Sequence, residues 1–140
     1  MIFIMFENIL FPGFALMIVT MIVGFYHTYG SMNLMQPGKD WEKGIPSDPY
    51  AYAPENLQMI KNNIKNLFEF PVIFYLLLIL IYSLGRSDNT FIYLAWIYVL
   101  LRAIHSIYHI FLNNTQMRGG FWLLSQFILF GILIRFLIIF

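Results

Sequence analysis

The sequence predicts an all-α integral membrane protein, a four-helix transmembrane bundle with a long first loop. Three observations predict it. Of 140 residues, 60% are hydrophobic and 11% charged, whereas a soluble globular domain is nearer a quarter charged. Four apolar runs reach the length of about 20 residues that a helix needs to cross hydrocarbon. The connections "GRSDN", from Gly85, and "NNTQMRGG", from Asn113, are short and turn-like. They force the helices they join to be antiparallel neighbours. The length allows one domain.

Composition also excludes functions. A net charge of +1 rules out a nucleic-acid binder, which needs clustered Lys and Arg to neutralise phosphates. Cysteine is absent, so disulfides, thiolate metal sites and a cysteine nucleophile are excluded. The expected partner is the lipid bilayer.

The first run covers residues 2–26, with Pro12 and Gly13 marking a bend near its start. A cleavable signal peptide would open with a basic region. Here the first Lys or Arg is Lys39, so the run reads as a retained helix. The second covers residues 56–84, longer than the bilayer needs, and its polar opening "NLQMIKNNIKN" projects into water. The third covers residues 89–112 and the fourth residues 120–140. The loop over residues 27–55 is rich in Pro, Gly and Asp. Loops of this length are often functional, and Trp41, Tyr50 and Tyr52 place part of it against the bundle or the interface.

Four helices put both termini on one side. The other side carries Lys39, Lys43, Lys61, Lys65 and Arg118, against Arg86 near the opposite turn. By the positive-inside rule the long loop is cytoplasmic and both termini are outside. Arg135 runs against that bias, and its long side chain reaches outward to water.

Polar residues inside apolar helices are costly and usually functional. In "RAIHSIYHIFLNNTQMRGGFW", from Arg102, the residues Arg102, His105, His109 and Asn113 fall at about 0, 300, 340 and 20 degrees around the third helix, with Ser106 beside them. On the second helix Asn62, Lys65, Asn66 and Glu69 fall at about 0, 300, 40 and 340 degrees. Glu69 lies about 20 Å beyond Asn56, and Arg102 about 17 Å before Asn113, at 1.5 Å per residue. The depths agree, so the two polar faces are expected to meet and Glu69 to pair with Arg102, since an unpaired charge there is far more costly. That ion pair alone is compatible with a purely structural role. The spacing of His105 and His109 suits two metal ligands on one face. However, Ser106 stands where a metalloprotease would have Glu, and the chain has three His in all. No metal is expected, and these His read as hydrogen-bonded members of the seam.

The pattern Arg102, His105, Ser106, His109, Asn113, Arg118, together with Asn66 and Glu69 before Pro71 in "KNLFEFPVIFY", resembles the MAPEG superfamily, the membrane-associated proteins of eicosanoid and glutathione metabolism, and most of all its bacterial members. The resemblance implies a homotrimer in a bacterial inner membrane. It implies glutathione as cosubstrate, bound between subunits near the cytoplasmic face, and a lipophilic second substrate arriving from the bilayer. Carried over by position, Asn66, Glu69, His109, Arg118, Trp122 and Gln126 contact glutathione, and Arg118 sits by its thiol as the catalytic cation. Asn62 and Lys65 stand where relatives carry arginines, and no Arg lies in "FYHTYGS" at the end of the first helix. Two readings follow. One is a glutathione-dependent transferase, isomerase or peroxidase. The other is a non-catalytic accessory or structural subunit of a larger membrane complex.

Overall fold

The computed structural model describes residues 8–34, 54–112 and 114–140. The Pro-rich loop, with Trp41, Tyr50 and Tyr52, and Asn113 lie outside the described residues. The described chain is helical: α1 (Leu10–Leu34), α2 (Glu55–Phe68), α3 (Phe70–Ser83), α4 (Asn89–Ile107) continued by a π turn (Tyr108–Leu112), and α5 (Thr115–Ile139). They form four spans long and apolar enough to cross a membrane, α2 and α3 together making the second.

Local chemistry sets the ends. Asn8 opens α1 by accepting the Leu10 N–H on its side chain at 3.0 Å and the Phe11 N–H on its carbonyl at 3.1 Å. Pro12 therefore stands in the first turn, where a missing N–H costs nothing, and begins the helix. The expected end at residue 26 is passed by two turns. Thr28 and Ser31 donate back to the carbonyls of Gly24 and Thr28, at 2.9 and 2.8 Å, which satisfies their hydroxyls within the helix. Gly30 brings α1 close to α2: a Cβ there would collide with a methyl of Leu57.

The second span is not the single helix that its apolar run suggests. It breaks at Glu69 (φ −86°, ψ −88°), two residues before Pro71. Proline cannot donate to the carbonyl four residues back, and its ring crowds that turn. At the far end of α3, Gly85 adopts φ +63°. Arg86 and Gly85 donate to the carbonyls of Ile81 and Tyr82, at 3.0 and 3.1 Å, a Schellman closure that needs a residue tolerant of positive φ. Asp88 caps α4 through the Phe91 N–H at 2.9 Å, and Asn114 caps α5 through the Met117 N–H at 3.1 Å. With that cap α5 already starts at Thr115, five residues before the expected start at Gly120, so Gly119 lies inside it.

α4 and α5 pack against each other most extensively, with α1 lying on α2, α3 and α4. Phe91, Ala95 and Tyr98 of α4, Phe74 and Ile81 of α3, and Ile132 of α5 form the buried apolar core. The Phe74 and Tyr98 rings lie 4.4 Å apart. The outer surface is apolar: Phe14, Phe25, Leu76, Leu100, Phe127 and Ile138 are exposed, as lipid contact requires.

Candidate functional site

Along α4 and the π turn that continues it, the inward positions include Phe91, Ala95, Tyr98, Arg102, His105 and His109. The step alternates between three and four residues, the spacing of one helix face, so the polar seam continues the apolar core toward one end of the bundle. Arg102, His105, Ser106 and His109 are all buried there, with Arg102 at 0% exposure.

The partner of Arg102 is not the expected one. Its Nη2 donates to the backbone carbonyl of Asn66 at 2.5 Å. Asn66 lies in the last turn of α2, where carbonyls lose their intrahelical donors and a cation is favoured by the helix dipole. Glu69 instead sits 3.9 Å from Lys65, one turn back on the same helix, with both side chains largely exposed. Its carboxylate still acts on Arg102 through space. The direct Glu69–Arg102 ion pair is thus replaced by a helix-end cap. The physical reason is the break at Glu69, which carries this carboxylate off the helical path while offering a free carbonyl to the guanidinium.

The two polar faces do not meet either. Ile60 and Leu67 are buried, and Leu57 and Ile64 pack against the core. That apolar row fixes the rotation of α2. Asn62, Lys65, Asn66 and Glu69 lie on the opposite side, roughly 180 degrees around the helix: Asn62, Lys65 and Glu69 are exposed and Asn66 half-buried. The residue that faces α4 is Asn63, fully buried, whose Oδ1 accepts from the Ser106 hydroxyl at 3.3 Å. The signal for it was present in the sequence: Asn63 lies three residues after Ile60 and four before Leu67, in step with the apolar row.

His105 and His109 pack edge to face, with ring centroids 5.5 Å apart. The Nδ1 of His105 lies 2.8 Å from the carbonyl of Arg118. A carbonyl only accepts, so Nδ1 carries the proton and donates. The next residue along, His109, belongs to the π turn, a form that recurs at functional sites. Arg118, half-buried in the first turn of α5, acts electrostatically on both imidazoles. The Nε and Nη1 of Arg102, the Tyr98 hydroxyl, Nε2 of His105 and Nδ1 of His109 are buried and make no hydrogen bond among the described residues.

Two other sequence candidates lie farther along α5. The Trp122 ring packs edge to face on Phe70, with centroids 5.6 Å apart. Gln126 lies in a groove of about 290 Å³ between α3 and α5, lined otherwise by apolar side chains such as Ile73, Phe127 and Leu133. Its Nε2 donates to Ser125 at 3.2 Å. The structure therefore groups Arg118 with His105 and His109, and sets Gln126 in a membrane-facing apolar slot.

Chemically, the arrangement offers a cation at the bundle end beside two imidazoles, and an outward helix face of mixed charge and amide character. A fixed cation near a thiol favours the thiolate, and an arginine does so without exchanging a proton of its own.

Compared with known proteins, the chain matches the model of the MAPEG family over residues 9–138. No curated protein and no solved structure gives a significant match.

Proposed function

From the chain's membership of the MAPEG family, we propose that it is a glutathione-dependent membrane enzyme. In this reading it conjugates, isomerises or reduces a lipophilic substrate, working as a homotrimer with its long loop cytoplasmic. The observation that carries the reading is the outward polar face of α2, Asn62, Lys65, Asn66 and Glu69, on a membrane-spanning segment. The start of this face projects into water, but its inner end, at Asn66 and Glu69, borders the hydrocarbon, where protein or a polar ligand covers such groups better than lipid does. A second copy of the chain supplies the cover, and glutathione fits the chemistry between copies. Lys65 meets a carboxylate, Glu69 the ammonium, and the asparagines the peptide amides. Arg118 stands at the thiol and holds the developing thiolate by charge. The thiolate then attacks an electrophile that reaches it from the bilayer, for which the apolar groove beside Gln126 is an entry.

Titration of the purified protein with glutathione tests this. Thiolate absorbance appears, and apparent stability rises by about 2.7 kcal/mol at a hundredfold excess over Kd. Arg118→Ala abolishes the thiolate signal. Absence of both signals at millimolar glutathione overturns the reading and leaves the accessory-subunit alternative, which native mass measurement after gentle extraction then tests.

A further inference from the structure

Arg102 and His105 are buried to 0% and 2% exposure, so neither reaches the outer face of α2 where a ligand would lie. Both nevertheless hold neighbouring backbone. Arg102 donates to the Asn66 carbonyl in the last turn of α2, and His105 donates to the Arg118 carbonyl in the first turn of α5. Ser106 adds a second tie to α2 through Asn63. The two anchors are three residues apart on one rigid helix, a rise of about 4.5 Å. We propose that Arg102 and His105 are positioning residues that act through these two carbonyls, fixing the spacing between the polar face of α2 and the side chain of Arg118.

The arrangement explains why the seam is made of long or ring donors. The Asn66 carbonyl lies in the last turn of α2, where it has lost its intrahelical donor, and the Arg118 carbonyl in the first turn of α5 offers its second lone pair to His105 beside its intrahelical bond. Apolar packing chooses the inward face of α2 but, being non-directional, leaves small rotations and slides of these ends soft. A directional bond to a carbonyl stops both. It also explains why the tautomer of His105 matters: only the form protonated at Nδ1 holds α5. The consequence for the thiolate rests on the glutathione reading above; the spacing itself does not.

The absence of cysteine makes the test direct. Spin labels are placed at Phe68→Cys on α2 and Met117→Cys on α5, both exposed positions, in labelled chains diluted with unlabelled ones. The parent protein gives one narrow distance distribution. His105→Phe and Arg102→Lys broaden it, and His105→Asn, whose amide N–H reaches the same carbonyl, restores it. In the unlabelled proteins the apparent pKa of bound glutathione rises by about one unit in His105→Phe, a tenfold loss of thiolate below that value, and returns in His105→Asn. An unchanged distribution in both disruptive variants overturns the proposal whatever glutathione does. Broadening with an unchanged thiolate reduces the pair to a structural role and overturns it as well. A parent protein without thiolate overturns the glutathione reading and the catalytic consequence with it, and the spacing is then decided by the label distances alone.

Discussion

Single side chains in this bundle are costly or cheap according to what they hold. Asp88 caps α4 and also receives Arg135 at 2.5 Å, while that guanidinium lies 5.0 Å from the Phe91 ring. Arg135 is therefore an anchored residue at the loop end of the bundle, with a partner besides water. Burial pushes the Asp88 carboxyl upward. The Phe91 N–H, and then the bond and charge of Arg135, outweigh this and hold it below the usual carboxylate range. A depressed carboxyl stabilises the fold above its unfolded value near 3.9 and loses that contribution as pH falls through the folded value. Asp88→Asn keeps the cap and loses the charge. Its stability deficit should be largest at neutral pH and shrink below about pH 4. Asp88→Ala loses the cap too and costs about 1 kcal/mol more. Thermal unfolding across pH in detergent reads both. The sequence could show that Asp88 precedes an apolar run, a cap signal, but not that Arg135, 47 residues on, returns to it.

At the scale of elements, helix ends follow from short-range chemistry and helix rotation from long-range packing. Gly85 illustrates the first. Nothing lies within 4 Å of a Cβ built there, so Gly85→Ala has room, and its cost comes only from φ +63°. That cost is about 1 kcal/mol; a variant as stable as the parent in chemical or thermal denaturation would refute the Schellman assignment. α2 illustrates the second. Its polar and apolar faces are both legible in the sequence, but periodicity does not say which face turns toward the bundle. Buried Ile60 and Leu67 decide it, because apolar area gains by leaving water and the polar row would lose by leaving it. The break at Glu69 was legible in part, since Pro71 marks it. Its consequence, a helix end presented to Arg102, required the neighbouring helix to be in place.

At the scale of the whole molecule, the surface is apolar where it suits lipid, and the polar face of α2 at one end calls for water, protein or a polar ligand. The Lys65–Glu69 contact is exposed within one copy, where such pairs contribute only about 0.3–0.5 kcal/mol. Lys65→Ala should therefore leave the unfolding of the single chain nearly unchanged. If a second copy covers this face, the same substitution weakens assembly by tenfold or more, about 1.4 kcal/mol. Native mass measurement over a dilution series separates the two effects. Equal dissociation of parent and variant would place the interface elsewhere.

What the sequence determined by itself is whatever depends on neighbours within a few turns: that the chain is helical with four segments able to cross a membrane, and that Arg102, His105 and His109 share one helix face. Such features follow from hydrophobic length, periodicity and caps, all local quantities. Only the tertiary structure decided the partners. Arg102 reaches the carbonyl of Asn66 in place of the carboxylate of Glu69, Asn63 turns inward in place of Asn62, and His105 holds α5. Those choices depend on the rotation of α2 and the break at Glu69, which are set by the summed packing of several helices. Matching depth brings two charged groups to the same level of the bilayer; packing decides whether they touch.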